Sequence, residues 1–342
     1  MIKNNLILKT LTLALLSILS SCSNNFTYIA GGEDKKGFVD GFAKDAKFKY
    51  PSEMAVDEET GNLYVLDQSS TVIRKITTDG KVSTIFDLSK YPNDFDTEYK
   101  KSITDIRVNK DYLYFSTDPF IARIKLNGES SYEKFLGTGN RVINSGDIFL
   151  KQESDFINTS FANIRGFDFD DNGNLFILDA YRIKKADVST KKVSDIYLGN
   201  TYISKEYNLS GTIFYDLEFN IKTKELTIIS KTSDGMHSNA SKKSTIFDNT
   251  FSLISLDFII DTYIDNLGNT YVVSSEKESI FKFDVNKSPT KIFSLKDITK
   301  SIYGNYSTLV SYQPMYLAVD NKRNILYISL NEDNKIFKVN LK

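Results

Sequence analysis

Short segments in which apolar and polar residues alternate recur along the chain, each bounded by Asp, Asn or Gly. The first set runs Ala55-Val56-Asp57, Gly61-Asn62-Leu63-Tyr64-Val65-Leu66-Asp67, Ile73-Arg74-Lys75-Ile76 and Lys81-Val82-Ser83-Thr84-Ile85. A period of two over about four to eight residues predicts strands, because successive strand side chains point to opposite faces. The Asp/Asn and Gly-Asn turns between them supply the positive φ that tight hairpins need. Each set therefore reads as an antiparallel meander. The order returns as Phe169-Asp170, Gly173-Asn174-Leu175-Phe176-Ile177-Leu178-Asp179, Arg182-Ile183-Lys184 and Val193-Ser194-Asp195-Ile196-Tyr197. A weaker copy runs Ile264-Asp265, Gly268-Asn269-Thr270-Tyr271-Val272-Val273, Ile280-Phe281-Lys282-Phe283 and Lys291-Ile292-Phe293. Further copies open at Val108-Asn109, Phe219-Asn220 and Val319-Asp320, which makes six units.

Units of this size cannot bury both faces alone, so radial packing into an all-β propeller is expected. A two-sheet sandwich lacks such repeated internal order. The stretch from Gly37-Phe38-Val39-Asp40-Gly41 through Ala46-Lys47-Phe48 and Pro51 to Asp57, Gly61-Asn62-Leu63-Tyr64-Val65, Asp67 and Ile73-Arg74-Lys75-Ile76 resembles an NHL repeat. The third unit matches that pattern well and the others loosely. The resemblance implies a β-propeller with NHL-type blades over residues 26–342, and the unit count makes it six-bladed. The last unit supplies only three strands, Tyr316 to Asp320, Ile325 to Ser329 and Lys335 to Leu341. Phe26-Thr27-Tyr28-Ile29-Ala30-Gly31-Gly32 precedes the first unit and is similar to the outer strands ending in Phe135-Leu136-Gly137 and Tyr197-Leu198-Gly199. The N-terminal strand is therefore expected to complete the sixth blade and cover its open edges.

The first residues read MIKNNLILKTLTLALLSILSSC, with Lys3 and Lys9 ahead of an apolar run from Leu11 to Leu19. That run is too short to span ~30 Å of hydrocarbon as a helix, and it has the form of a signal peptide over residues 1–21. Leu19-Ser20-Ser21-Cys22 resembles the bacterial lipobox, and Cys22 is the only cysteine in the chain. The resemblance implies diacylglycerol on the Cys22 thiol, a second acyl chain on the new amino terminus for stable anchoring, and residues 22–25 as a short tether. Such a protein sits at the bacterial cell envelope. In a Gram-negative host Ser23 in place of Asp sorts it to the outer membrane, and in a Gram-positive host it stays on the outer face of the plasma membrane. Outermost propeller strands enter at the bottom face, so Phe26 puts the bottom toward the membrane and the top outward.

Composition narrows the chemistry. The chain of 342 residues is 41% apolar and 25% charged, an ordinary globular balance. Its net charge is −1, and without the signal segment 41 basic residues face 44 acidic ones, so nothing pulls it toward nucleic acid. One histidine, His237, and one cysteine exclude His-cluster zinc sites, disulfide frameworks and Cys nucleophiles in the folded body. No nucleophile elbow, phosphate-binding glycine loop or HExxH is present.

Four residues before the Asp or Asn that marks each unit stand Glu53, Asp105, Gly166, Asp216, Asp261 and Tyr316. The four carboxylates, Glu53, Asp105, Asp216 and Asp261, fall near the start of the innermost strands, at the top mouth of the channel. Three uses stay open for them: hard oxygen ligands for Ca²⁺, a mouth for a cationic or amine-bearing ligand, or a solvated rim paired with lysines. Asp67 with Arg74 and Asp179 with Arg182 are placed to latch top turns. Long connections, Gly32 to Tyr50, Asp87 to Lys101, Gly137 to Ala162, Ser230 to Lys243 and Lys296 to Gln313, gather at the top. They carry Tyr91, Phe95, Tyr99, Phe149, Phe156, Tyr303, Tyr306 and Tyr312, a candidate recognition surface. The reading that follows is a non-catalytic propeller with no cofactor, binding an envelope protein, peptide or glycan through its top loops. The alternative is a calcium-dependent hydrolase resembling the gluconolactonase family.

Overall fold

A computed structural model describes residues 26–31, 37–67, 69, 71–91, 102–127, 131–140, 153–180, 182–198, 213–231, 238–243, 251–254, 259–274, 279–284, 289–294, 296–298, 300 and 315–341. They form an all-β propeller of six antiparallel sheets, each a meander as the alternation predicts. The innermost strands, in chain order, are Met54–Asp57, Ile103–Asn109, Ile164–Phe169, Ile213–Asn220, Ile259–Ile264 and Met315–Asp320. Each lies beside the inner strand of the next sheet, and the sixth lies beside the first. Thr27–Gly31 pairs antiparallel with Lys335–Asn340, Thr27 opposite Lys338 and Gly31 opposite Lys335, and supplies the outer strand of the sixth sheet.

Apolar faces meet between neighbouring sheets. Ala55, Tyr64, Leu66 and Phe86 of the first sheet pack on Ile106, Leu113 and Phe115 of the second. Ala30, Ala318 and Ile336 of the sixth pack on Met54, Leu63 and Val65 of the first. Second strands are covered on both sides, which is why Leu63 to Asp67 and Leu175 to Asp179 are buried throughout and read as nearly unbroken apolar runs.

Five inner strands end in a turn whose amides are accepted by the marker side chain, Asp57, Asp170, Asn220, Asp265 or Asp320. Asp170 Oδ1 accepts from the Asn172 and Asn174 amides at 2.9 and 2.8 Å, and Asp265 Oδ1 from Leu267 and Asn269 at the same two distances. Gly173 and Gly268, at φ +83° and +86°, take the left-handed position that costs other residues strain. This end of the propeller therefore carries short turns. The connections from one sheet to the next, such as Asp87 to Ile103 and Ser294 to Met315, all emerge at the opposite end.

Two stretches expected as top loops differ in part. Gly41–Phe42 pairs with Val82 and Lys81, and Glu153–Asp155 with Ser194 to Lys192, adding fifth strands to the first and third sheets. These segments run down the outer edge because the outermost strand exposes unpaired backbone groups that the passing chain satisfies. Phe156 follows such a strand and is buried against Phe135, with ring centroids 5.5 Å apart, so it belongs to the core rather than to a recognition surface.

Candidate functional site

The inner strands bring the four predicted carboxylates into one electrostatic cluster, and a guanidinium that the sequence reading missed sits among them. Arg107 lies two residues after Asp105 on the second inner strand, on the same face. Its Nη1 donates to Asp105 Oδ1. Its Nη2 is 2.7 Å from Glu218 Oε1 and 3.8 Å from Asp216 Oδ1, and its Nε is 3.9 Å from Asp168 Oδ1.

The carboxylates also stitch the sheets together. Asp105 Oδ2 accepts the amide of Phe167 on the third inner strand at 3.0 Å. Asp168 Oδ2 accepts that of Phe219 on the fourth at 2.7 Å, and Asp261 Oδ2 that of Leu317 on the sixth at 2.7 Å. One rule covers all three: a carboxylate on one inner strand accepts the amide one position further along the next. Asp216 Oδ1 instead accepts its neighbour Leu217 N at 2.8 Å. It reaches toward Gly166, where a Cβ would lie 3.2 Å from Leu217 N and collide with the Asp216 carboxylate. The glycine is thus the space that this carboxylate occupies.

Burial and crowding hold these groups away from ordinary acidity. Burial pushes Asp105 up to about 8 against the pull of Arg107, with Asp216 adding to the rise. Asp216 is pushed up to about 6, again chiefly by burial with Arg107 opposing. Glu53 lies well above the carboxylate range through burial and repulsion from Asp261, Asp216 and Asp105. Glu218 and Asp261 are raised well above it for the same first reason. Burial alone would lower Arg107, but Asp105, Glu218, Asp216 and Asp168 raise it.

Of the three uses left open, a solvated rim of lysine-paired carboxylates does not describe these groups, which form a largely buried cluster around one arginine. Among the described residues no group of three or more His, Cys, Asp or Glu is placed to hold a metal ion, and Asp105 and Asp261 each spend an oxygen on a neighbouring amide.

The latches expected from sequence are present. Asp67 Oδ2 pairs with Arg74 Nη1 at 2.9 Å and Asp179 Oδ2 with Arg182 Nη2 at 3.0 Å, all four side chains buried. The carboxylates also accept amides of the chain entering each sheet, Lys49 N on Asp67 and Ala162 N and Asn163 N on Asp179. Arg74 is held between the rings of Phe38 and Phe48, at 4.9 and 4.8 Å from their centroids.

Of the predicted loop aromatics, Tyr91 stacks on Phe86 of the first sheet with centroids 5.3 Å apart and packs edge-on to Tyr132 of the second, so it packs against the core between those two sheets. Phe95, Tyr99, Phe149, Tyr303, Tyr306 and Tyr312, with Cys22 and His237, lie outside the described residues. A cavity of about 440 Å³ lies at the short-turn end, the end opposite the expected mouth, lined by the last residues of five inner strands and the turns after them.

No family model and no curated protein matches the chain. Solved structures do match over most of its length. An auxiliary nutrient binding protein from Bacteroides thetaiotaomicron is 13% identical with a TM-score of 0.60, covering 92% of this chain and 75% of that one. An auxiliary nutrient binding protein from Bacteroides ovatus is 10% identical with a TM-score of 0.58, covering 92% and 76%. A gluconolactonase from Xanthomonas campestris is 10% identical with a TM-score of 0.57, covering 92% and 88%. At these identities the likeness shows the β-propeller fold alone.

Proposed function

We propose that this chain is a lipid-anchored protein of the bacterial cell envelope, a closed six-bladed propeller of NHL type that binds a protein, peptide or glycan without catalysis. Closure is supported by the pairing of Thr27–Gly31 with Lys335–Asn340 and by the Ala30 and Met54 packing between the sixth and first sheets. Anchoring is supported by the signal-like run ending at Cys22. Phe26 immediately precedes a strand that starts at the short-turn end, and its ring packs edge-on to Phe293 at 5.2 Å, so a tether at Cys22 would turn the opposite end away from the membrane.

The observation that carries the binding role is the asymmetry of the two ends: every connection from one sheet to the next emerges at one end, where insertions leave the framework intact. Two propellers of like fold are nutrient binding proteins, so the scaffold suits such a role. The test presents the purified protein to a glycan array and to peptides from envelope digests. A second chain, with residues 141–152 replaced by Gly-Ser linker of equal length, is run beside it. The proposal predicts binding by the first and at least about tenfold weaker binding by the second at unchanged melting temperature. No binding by either, or equal binding by both, contradicts it.

A further inference from the structure

The cavity at the short-turn end lies away from the long connections, and its chemistry is independent of the envelope reading. Its walls carry eight carboxylates against two cations, Arg107 and Lys110. Lys322 and Lys224 pair with Glu59 and Asp171 from outside the lining, and a surplus of negative charge still remains. A ligand carrying negative charge is repelled by such a wall, while a cation entering it gains attraction that partial exclusion of water strengthens.

The second feature is aromatic. Tyr263 lines the same cavity, together with Val56, Val108 and the largely buried Phe169 and Phe219. The Tyr263 hydroxyl donates to Val319 O at 3.3 Å, which ties down its polar end and leaves the ring as part of the wall. The Tyr263 ring beside carboxylates suits an ammonium group, which draws on both the ring quadrupole and the charge. A volume of about 440 Å³ admits a small organic molecule. We propose that this cavity binds a small organic cation with a primary amine on a short aliphatic body. The crowded carboxylates beneath it add a consequence: since burial raises Asp105, Asp216 and Glu218, an incoming ammonium displaces protons from the cluster.

Titration calorimetry of the full chain with 1,5-diaminopentane tests this, with 1-pentanol as the neutral counterpart and calcium chloride as the simple cation. The proposal predicts saturable binding of the amine, none of the alcohol, and proton release seen as a dependence of the measured heat on buffer ionisation enthalpy. Asp171→Asn, at a half-exposed rim position, should weaken amine binding roughly threefold, the scale of an exposed charge interaction. Lys110→Asn removes the opposing lysine charge and should tighten it by a similar factor. The Lys110 backbone at φ +54° is one that asparagine tolerates, so the fold survives the change. Equal binding of amine and alcohol, no amine binding, indifference to both substitutions, or displacement of the amine by stoichiometric calcium would each overturn the assignment.

Discussion

Replacing Arg107 by methionine keeps most of the side-chain length and removes the single guanidinium that touches Asp105, Asp168, Asp216 and Glu218. Only 12% of the arginine side chain is exposed, so the carboxylates that lose it stay largely out of bulk water. Removing one partner of a buried ionic group costs ~3–5 kcal/mol, because the remaining charges stay buried without compensation. In a chain of this size that corresponds to a fall in Tm of about 5–8 °C. The pH dependence gives the sharper test. Carboxylates raised in the folded state hold protons that the unfolded chain has already lost, so wild-type stability falls as pH rises from the ordinary carboxylate range of about 4 toward the Asp105 value of about 8. Without Arg107 the same groups rise further and the fall steepens. Thermal melts of both proteins at pH 5 and pH 8 should show a larger gap between them at pH 8. A gap under ~2 °C at pH 8, or one equally large at pH 5, would refute the claim that Arg107 neutralises this cluster.

The remaining predictions concern other parts of the frame. Gly166→Ala drives a methyl group into the Asp216 carboxylate and should cost ~1–3 kcal/mol in a denaturant melt, whereas an unchanged midpoint would mean that Asp216 has room to move aside. Deleting Phe26 to Gly31 uncovers the edge of Lys335–Asn340 and the Ala30 packing, and should lower Tm far more than an equal deletion within residues 92–101; equal losses would count against closure by the N-terminal strand. Calcium from chelator to millimolar concentration should leave the melt unchanged, while a rise abolished by Asp216→Asn with Asp261→Asn would restore a metal role for these carboxylates.

Much of the frame was legible because it follows from short-range pattern. Alternation and Gly-Asn turns located the strands, and the three-strand last unit pointed to the pairing that Thr27–Gly31 makes. Asp67 with Arg74 and Asp179 with Arg182 were legible because each pair stands at the two ends of one short turn, a relation local in sequence. The axial cluster was only half legible. Glu53, Asp105, Asp216 and Asp261 share one register position, but their partners, the amides of Phe167 and Leu317, belong to neighbouring sheets and follow only from how the inner strands are staggered. Two residues along each strand lies a second register, Ala55, Arg107, Asp168, Glu218, Tyr263 and Ala318, which faces the same way and holds the central cation. Reading that register would have found Arg107. No local signal separates Tyr91 and Phe156, which pack inward, from an aromatic that faces solvent, since either sits in a polar connection.

The proposed tether is the part of the account with the widest consequences, because it would fix the compartment and turn the loop-bearing end outward. Membrane fractionation of a bacterial host expressing wild type or Cys22→Ala, with radiolabelled palmitate followed in parallel, tests it directly. The account predicts that wild type is labelled and pellets with membranes, while Cys22→Ala is unlabelled, is not held in the membrane pellet, and melts like the wild-type propeller, since residue 22 precedes the first strand. Equal membrane retention of the processed, unlabelled variant would contradict it.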